Sequence, residues 1–311
     1  MEYAPIALFV YKRPEETLKT LNALRDNEGA EHSRLFVFAD GPRNDGEAAK
    51  VRRVRALFSG GSGFAGLTVR TSETNKGLAR SIIEGVSEVF RSHDRVIVLE
   101  DDLLTSRYFL RFMNEALEKY RDDDRICCIH GFTAPTRHPE VPYFLRRGAD
   151  CWGWATWSDS WKIFSPDAQR LHDEIAAAGL SREFDCGGAF PYMKMLKAQA
   201  EGKIDSWAIR WYASAFLAEK YTLQSNRMLV RNIGFGQDAT HCSGGNNREI
   251  ALTDRPVIFD REAISEPDFL KSEHRRFLRS LQPSLLRRAL RKLASLAARS
   301  SGETNRGGWE S

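Results

Sequence analysis

The chain reads as an α/β protein built on a central, mostly parallel sheet flanked by helices. Three observations predict this. Strand-like and helix-like segments alternate through the first half of the 311 residues. Val96-Ile97-Val98-Leu99 is a continuous apolar run of the kind that forms a buried parallel strand. That run continues without a break into Glu100-Asp101-Asp102, placing three acids at a strand's C-terminal end, where open α/β sheets take their ligands.

The elements follow in order. Ile6–Val10 is a strand. Pro14 suits a first helical position, with Glu15 and Glu16 near the positive helix end and Leu18, Leu21 and Leu24 at helical spacing. Leu35–Ala39 is a second strand, closed by the turn signal Asp40-Gly41-Pro42. Val51, Val54, Leu57 and Phe58 mark a helix, Leu67–Val69 a short strand, and Asn75-Lys76-Gly77 leads into a helix through Ile82, Ile83, Val86 and Phe90. After the acid-tipped strand come a helix over about residues 106–120 and a strand at Ile126–Ile129. The second half is helical around 167–178, 190–201 and 206–220.

Composition narrows the partners. A formal net charge of +4 is too small to argue for nucleic acid. The positive excess gathers at the C-terminal end, with no acid between Arg275 and Arg299. Leu285, Leu286, Ala289, Leu290, Leu293, Leu296 and Ala297 recur there at helical spacing. Residues 284–299 are therefore expected to form a basic amphipathic helix, able to lie on an anionic membrane surface or to pack its leucines on the protein. Five cysteines without CxxC spacing suggest reduced thiols, and no leader or membrane-spanning run is evident, so a cytoplasmic chain, peripheral at the membrane's inner face if that helix binds it, is expected.

Two motif matches fail on context. Gly61–Gly66 satisfies GxGxxG but follows a helix and precedes a strand, the reverse of a dinucleotide-binding turn. Asp122-Asp123-Asp124 trails a helix and reads as a solvated charge run. The acids Glu100–Asp102 are different. Packed carboxylates repel and are costly to desolvate unless a cation shares them, and Mg²⁺ or Mn²⁺ carrying a diphosphate matches hard oxygen ligands. Arg13 and Asp40 end the first two strands on the same sheet edge. The backbone amides of Asn75-Lys76-Gly77 and the side chain of Arg80 open a helix nearby, where Arg80 serves either the ligand or a surface ion pair. Trp152-Gly153-Trp154 suggests a turn presenting aromatic surface to a sugar, against the alternative of core packing. Asp205, ahead of Ser206-Trp207, is either a helix cap or a general base.

Together these motifs resemble the GT-A nucleotide-sugar glycosyltransferases, in particular the N-acetylglucosaminyltransferase I type and bacterial family 2-like sugar transferases, over roughly residues 4–245. The resemblance implies a GT-A fold and a hexosyl- or N-acetylhexosaminyltransferase that uses Mn²⁺ or Mg²⁺ to move a sugar, with inversion, from a UDP-sugar to a hydroxyl of a glycan or lipid-linked glycan. It implies nucleotide contacts from Arg13 and Asp40, a ribose contact from Asp101, a donor-sugar contact from Glu100, and metal ligation by Asp102 and His241. Asp205 stands where the family places its base. Because the N-acetylglucosaminyltransferase I pattern has two adjacent acids and this chain has Asp205-Ser206, Asp238 and Glu183 remain alternatives. The implied organisation is a donor half over 1–135, an acceptor and catalytic half over 136–260, and a basic helical extension with a polar tail over 261–311. Two other functions stay open. One is a non-catalytic nucleotide-sugar binding module. The other is a nucleotidylyltransferase, although Tyr11-Lys12-Arg13-Pro14 lacks the glycines of a triphosphate loop.

Overall fold

Strand β1 (Ile6–Val10) sits between β2 (Arg34–Ala39) and β4 (Arg95–Glu100), parallel to both, and β3 (Gly66–Thr71) extends the parallel run beyond β2. The computed structural model describes residues 2–60, 63–234, 251–260, 262 and 266–282. Between these strands run α1 (Pro14–Arg25), α2 (Asp45–Ala56) and α3 (Leu78–Val89), which supply the crossovers that parallel neighbours require. The chain then forms β5 (Leu103–Thr105), α4 (Phe109–Lys119), β6 (Ile126–His130), β7 (Tyr143–Arg147) and β8 (Trp154–Trp157). It continues through α5 (Ser158–Trp161), α6 (Ala168–Ala177), α7 (Ser181–Phe184), α8 (Tyr192–Ala200) and α9 (Trp207–Leu217), and then β9 (Tyr221–Ser225), β10 (Val230–Asn232) and α10 (Asp268–Leu281).

The main sheet has eight strands in the order β3-β2-β1-β4-β8-β6-β9-β7. Only β8 and β7 run against the rest: β8 is antiparallel to β4 and β6, while β9 is parallel to β6 and antiparallel to β7. The mostly parallel α/β architecture expected from the sequence is therefore present. β7, β8 and β9, all after residue 140, join the same sheet as β1–β4, while β10 pairs with β5 in a separate two-stranded sheet.

Alternation along β1 shows the layering. Ile6, Leu8 and Val10 pack with Leu21 and Leu24 of α1 and with α4, while Ala7 and Phe9 face Ile82 and Val86 of α3 on the opposite side. Every side chain of β1 is buried, which is why the strand reads as an unbroken apolar run. On α1 the inner face differs from the leucine spacing. Leu18 is 42% exposed, and Thr17 and Thr20 are buried in its place. Their hydroxyls donate to the carbonyls of Arg13 and Asp101, so a short polar side chain packs well there.

Of the Gly61–Gly66 stretch, the described Gly63–Ala65 lead into β3, and Asp123 pairs with Arg125 in the turn after α4. Cys127, Cys128 and Cys186 are free thiols. Among the described residues, no helix is long and apolar enough to cross a membrane. Residues 284–299, the expected basic helix, lie outside the described residues.

Candidate functional site

The parallel strands deliver Arg13, Asp40 and Glu100–Asp102 to one edge because β1, β2 and β4 all end there. Burial of the apolar strand draws the acids partly inside. Asp101 and Asp102 are both buried. Asp101 Oδ2 accepts the Tyr11 N–H at 3.1 Å, and Asp102 Oδ2 accepts Arg13 NH1 at 2.6 Å. Asp102 Oδ1 is buried without a hydrogen-bond partner.

The electrostatics follow from this crowding. Burial, reinforced by Asp102 and Asp101, pushes the Glu100 carboxyl well above the usual range. Burial and Asp102 push Asp101 up to about 7, against the pull of Arg13. Asp102 is also raised by burial, with Arg13 opposing. Arg13 is the cation that opposes the rise at all three carboxyls.

The strand β10 pairs antiparallel with β5, Asn232 opposite Leu103, which brings Ile233 and Gly234 against Asp102. The Ile233 N–H donates to the Asp102 carbonyl at 2.8 Å. A Cβ at Gly234 would overlap Asp102 Oδ2, so only glycine lets the backbone pass so close. Among the described residues no three His, Cys, Asp or Glu side chains form a complete metal cage. The donor set nonetheless suits Mg²⁺ or Mn²⁺, which bind through one or two carboxylates and take their remaining oxygens from substrate phosphate and water. The unpartnered Asp102 Oδ1 is the atom that would hold the ion. His241 and Asp238 lie outside the described residues.

Asp40 acts differently from a free nucleotide acceptor. Its Oδ1 accepts the Gly41 N–H and Lys76 N–H, each at 2.8 Å, and its Oδ2 accepts Asn75 Nδ2 at 2.9 Å and the Gly77 N–H at 3.0 Å. Four donors on one carboxylate make Asp40 the clamp of the Asn75–Gly77 loop. That loop ends at Gly77, whose φ of +80° is the left-handed region glycine tolerates. The Lys76 and Gly77 amides thus face Asp40 itself.

Of the two readings of Arg80, the structure shows the surface ion pair. It is 67% exposed and pairs with Glu84 at 2.6 Å, one helical turn on, and Lys76 binds the same Glu84 at 2.8 Å. Solvent screening and a near partner keep both cations on the outer face of α3.

The tryptophans divide. Trp154 is 0% exposed and stacks on Trp207 at 5.3 Å, with Trp161 and Trp211 close by, so it is core and offers no face to a sugar. Apolar burial of a large ring outweighs its use as a platform. Gly153, at φ +64°, lies where a Cβ would meet Val230 Cγ2 at 2.6 Å, which makes it a packing glycine. Trp152 is half-buried, edge-on to Phe132 at 4.9 Å, with its backbone N–H donating to His130 Nε2 at 3.2 Å. The antiparallel register pairing Val98 with Trp154 carries Trp152 toward the acid-tipped end of β4.

Asp205 is not the cap of α9. Ser206 takes that position and accepts the Ile209 N–H at 3.3 Å. Asp205 instead keeps a 64% exposed carboxylate, pairs with Arg210 at 3.3 Å, and lies 3.8 Å from where a Cβ on Gly77 would stand. It therefore borders the Asp40 loop. Glu183 is bound to Arg147 at 2.7 Å and lines the cavity described below.

Two features escaped the sequence reading. Glu47 accepts the Tyr11 hydroxyl and the Lys12 ammonium, the latter at 2.5 Å, and so braces the loop that carries Arg13. A cavity of about 480 Å³ between β7, α8, α9 and α10 collects Arg146, Asp150, Glu266 and His274. No local motif marks either, because their members come from distant segments.

Fold and site together define an α/β protein with an acid-tipped central strand, a carboxylate-clamped loop beside it, and a separate polar cavity. No family model matches the chain, and no curated protein matches it. Among solved structures, it is similar to Staphylococcus aureus TarS at 14% identity, over 42% of this chain and 22% of that one, with a TM-score of 0.31. It is also similar to the mannosyltransferase PcManGT from Pyrobaculum calidifontis in complex with GDP-Man and Mn²⁺. There the identity is 17% over 50% of this chain and 46% of that one, with a TM-score of 0.34. The chain thus spans less than half the length of either structure. TM-scores this low carry no functional weight.

Proposed function

We propose that this chain is a divalent-metal-dependent glycosyltransferase, moving a sugar from a nucleoside diphosphate sugar, UDP in the first instance, to a hydroxyl of a glycan or lipid-linked glycan with inversion at the anomeric carbon. The observation that carries this reading is the buried, unpartnered Asp102 Oδ1 beside Asp101 and Glu100 at the C-terminal end of β4. A carboxylate in that state is poorly accounted for as structure and well accounted for as a ligand awaiting a cation.

The residues divide the work. Asp102 would hold Mn²⁺ or Mg²⁺ with His241, and Arg13 orients the Asp102 carboxylate from its second oxygen. When bound, the ion offsets charge that builds on the departing diphosphate. Asp101 faces the ribose, Glu100 the donor sugar, and the Asp40-clamped Asn75–Gly77 loop forms the wall on which the nucleotide rests. Asp205 takes the proton from the acceptor hydroxyl as that oxygen attacks the face opposite the leaving diphosphate. Its exposure and its place beside Gly77 suit a base that meets an acceptor arriving from solvent.

Calorimetric titration with UDP tests the reading. Binding is expected to require Mn²⁺, to weaken at least tenfold in Asp102→Asn, and to persist in Asp205→Asn. Release of UDP from a panel of UDP-sugars should vanish in the first variant. UDP binding that is equal with and without Mn²⁺, and unaltered by Asp102→Asn, rejects the site. Metal-dependent UDP binding with no UDP release from any donor assigns a binding module instead.

A further inference from the structure

The cavity of about 480 Å³ beyond the acid cluster is walled by side chains from α8, α9, α10 and the β7–β8 connection. Ser206, the residue after Asp205, lines it, so its wall reaches the neighbour of the candidate base. Its wall combines two kinds of surface. Tyr192 and Tyr212 bring aromatic faces, with Tyr212 fixed by its hydroxyl donating to the Phe184 carbonyl at 3.0 Å. Arg146, Lys271, Asp150 and Glu266 bring donors and acceptors.

The charged groups are unevenly committed. Arg146 is engaged on both sides, donating to Asp150 Oδ2 at 2.6 Å and to the His274 ring at 3.1 Å. Asp150 Oδ1 accepts the Cys151 N–H at 2.8 Å. Glu266 is the exception, because its Oε1 is buried and has no hydrogen-bond partner. Leaving a buried carboxylate oxygen unbonded is costly, and a ligand hydroxyl would remove that cost. Burial raises this carboxyl, with Arg146, Lys271 and Arg275 opposing, so a neutral donor such as an alcohol suits it better than a second anion. Aromatic faces beside carboxylates and guanidinium groups match a sugar ring, which is apolar on its faces and hydroxylated at its rim.

We infer that this cavity is the acceptor pocket, that it takes a neutral sugar residue, and that Glu266 Oε1 selects it by accepting one of its hydroxyls. The inference rests on the transferase reading above. Its volume admits one or two sugar rings, and Ser206 in its wall adjoins Asp205, so a sugar bound there could extend its reacting hydroxyl to that carboxylate.

The test uses the full chain with lactose, maltose, cellobiose and N,N′-diacetylchitobiose at millimolar concentration, read by saturation-transfer NMR and melting temperature. At least one sugar is expected to bind. Glu266→Gln should weaken it about tenfold while preserving shape, and Ala208→Phe, which fills the cavity wall on α9, should abolish it. Both variants should bind UDP with Mn²⁺ as the unmodified chain does, which also shows that they are folded. If no sugar of the panel binds, or if binding survives both substitutions, the inference is overturned. Loss of UDP binding in the unmodified chain would instead count against the transferase reading, and sugar binding would still decide the pocket.

Discussion

Arg13 NH1 meets Asp102 Oδ2 at 2.6 Å across 89 residues of sequence, while the other oxygen of the same carboxylate is buried and unbonded. The pair joins the first helix cap to the end of the fourth strand. It gives one of the three acids a direct cationic partner.

Arg13→Met should therefore destabilise the metal-free protein by about 3 kcal/mol, since removing one partner strands buried charge. Adding Mn²⁺ should close most of the resulting gap in melting temperature. A gap indifferent to Mn²⁺ would show that the acids do not share a metal.

Asp40→Ala removes the acceptor of four donors and should cost about 2–4 kcal/mol. Hydrogen exchange at the Lys76 and Gly77 amides should rise well before global unfolding. UDP affinity should fall with it, because the loop wall is lost. Unchanged protection of those two amides would rule out the clamp.

Trp154→Ala should cost about 3–5 kcal/mol, in keeping with a fully buried ring, whereas Trp154→Phe should be milder and keep nucleotide and sugar binding intact. Chemical denaturation measures the first and titration the second. A variant of full stability that loses sugar binding would restore the aromatic-platform role.

Glu47 gives a pH signature. Hydrogen bonds from Lys12 and then Tyr11 lower its carboxyl to about 2, below its ordinary 4.5, so the folded state holds its proton less tightly than the unfolded chain. The stabilisation is complete above about pH 4.5 and is lost as pH falls toward 2. Glu47→Gln should accordingly melt below the unmodified protein at pH 7, with the gap closing by about pH 2. A gap independent of pH would mean that the ionised carboxylate is not the stabilising form.

The basic C-terminal segment makes the last prediction. Deleting residues 284–311 should abolish sedimentation with anionic vesicles at low salt and leave UDP binding intact. A full-length chain that ignores such vesicles would leave only packing as the role of its leucines.

Much of the architecture was legible in the sequence, because fully buried parallel strands and amphipathic helices write their burial directly into residue order. Ile6–Val10, Val96–Leu99 and the acids that follow them are local signals, and the shared sheet edge for Arg13, Asp40 and Glu100–Asp102 follows from parallel connection alone. What each polar group does was not legible. That Asp40 is saturated by a loop 35 residues away, that Arg80 turns out to Glu84, and that Trp154 lies inside an aromatic core depend on which distant segments pack there. The cavity around Glu266 is of the same kind, assembled from β7 to α10. Residue order determines periodicity and therefore elements and faces. Only the tertiary structure decides which donors and acceptors are already satisfied, because hydrogen bonding and desolvation depend on neighbours in space.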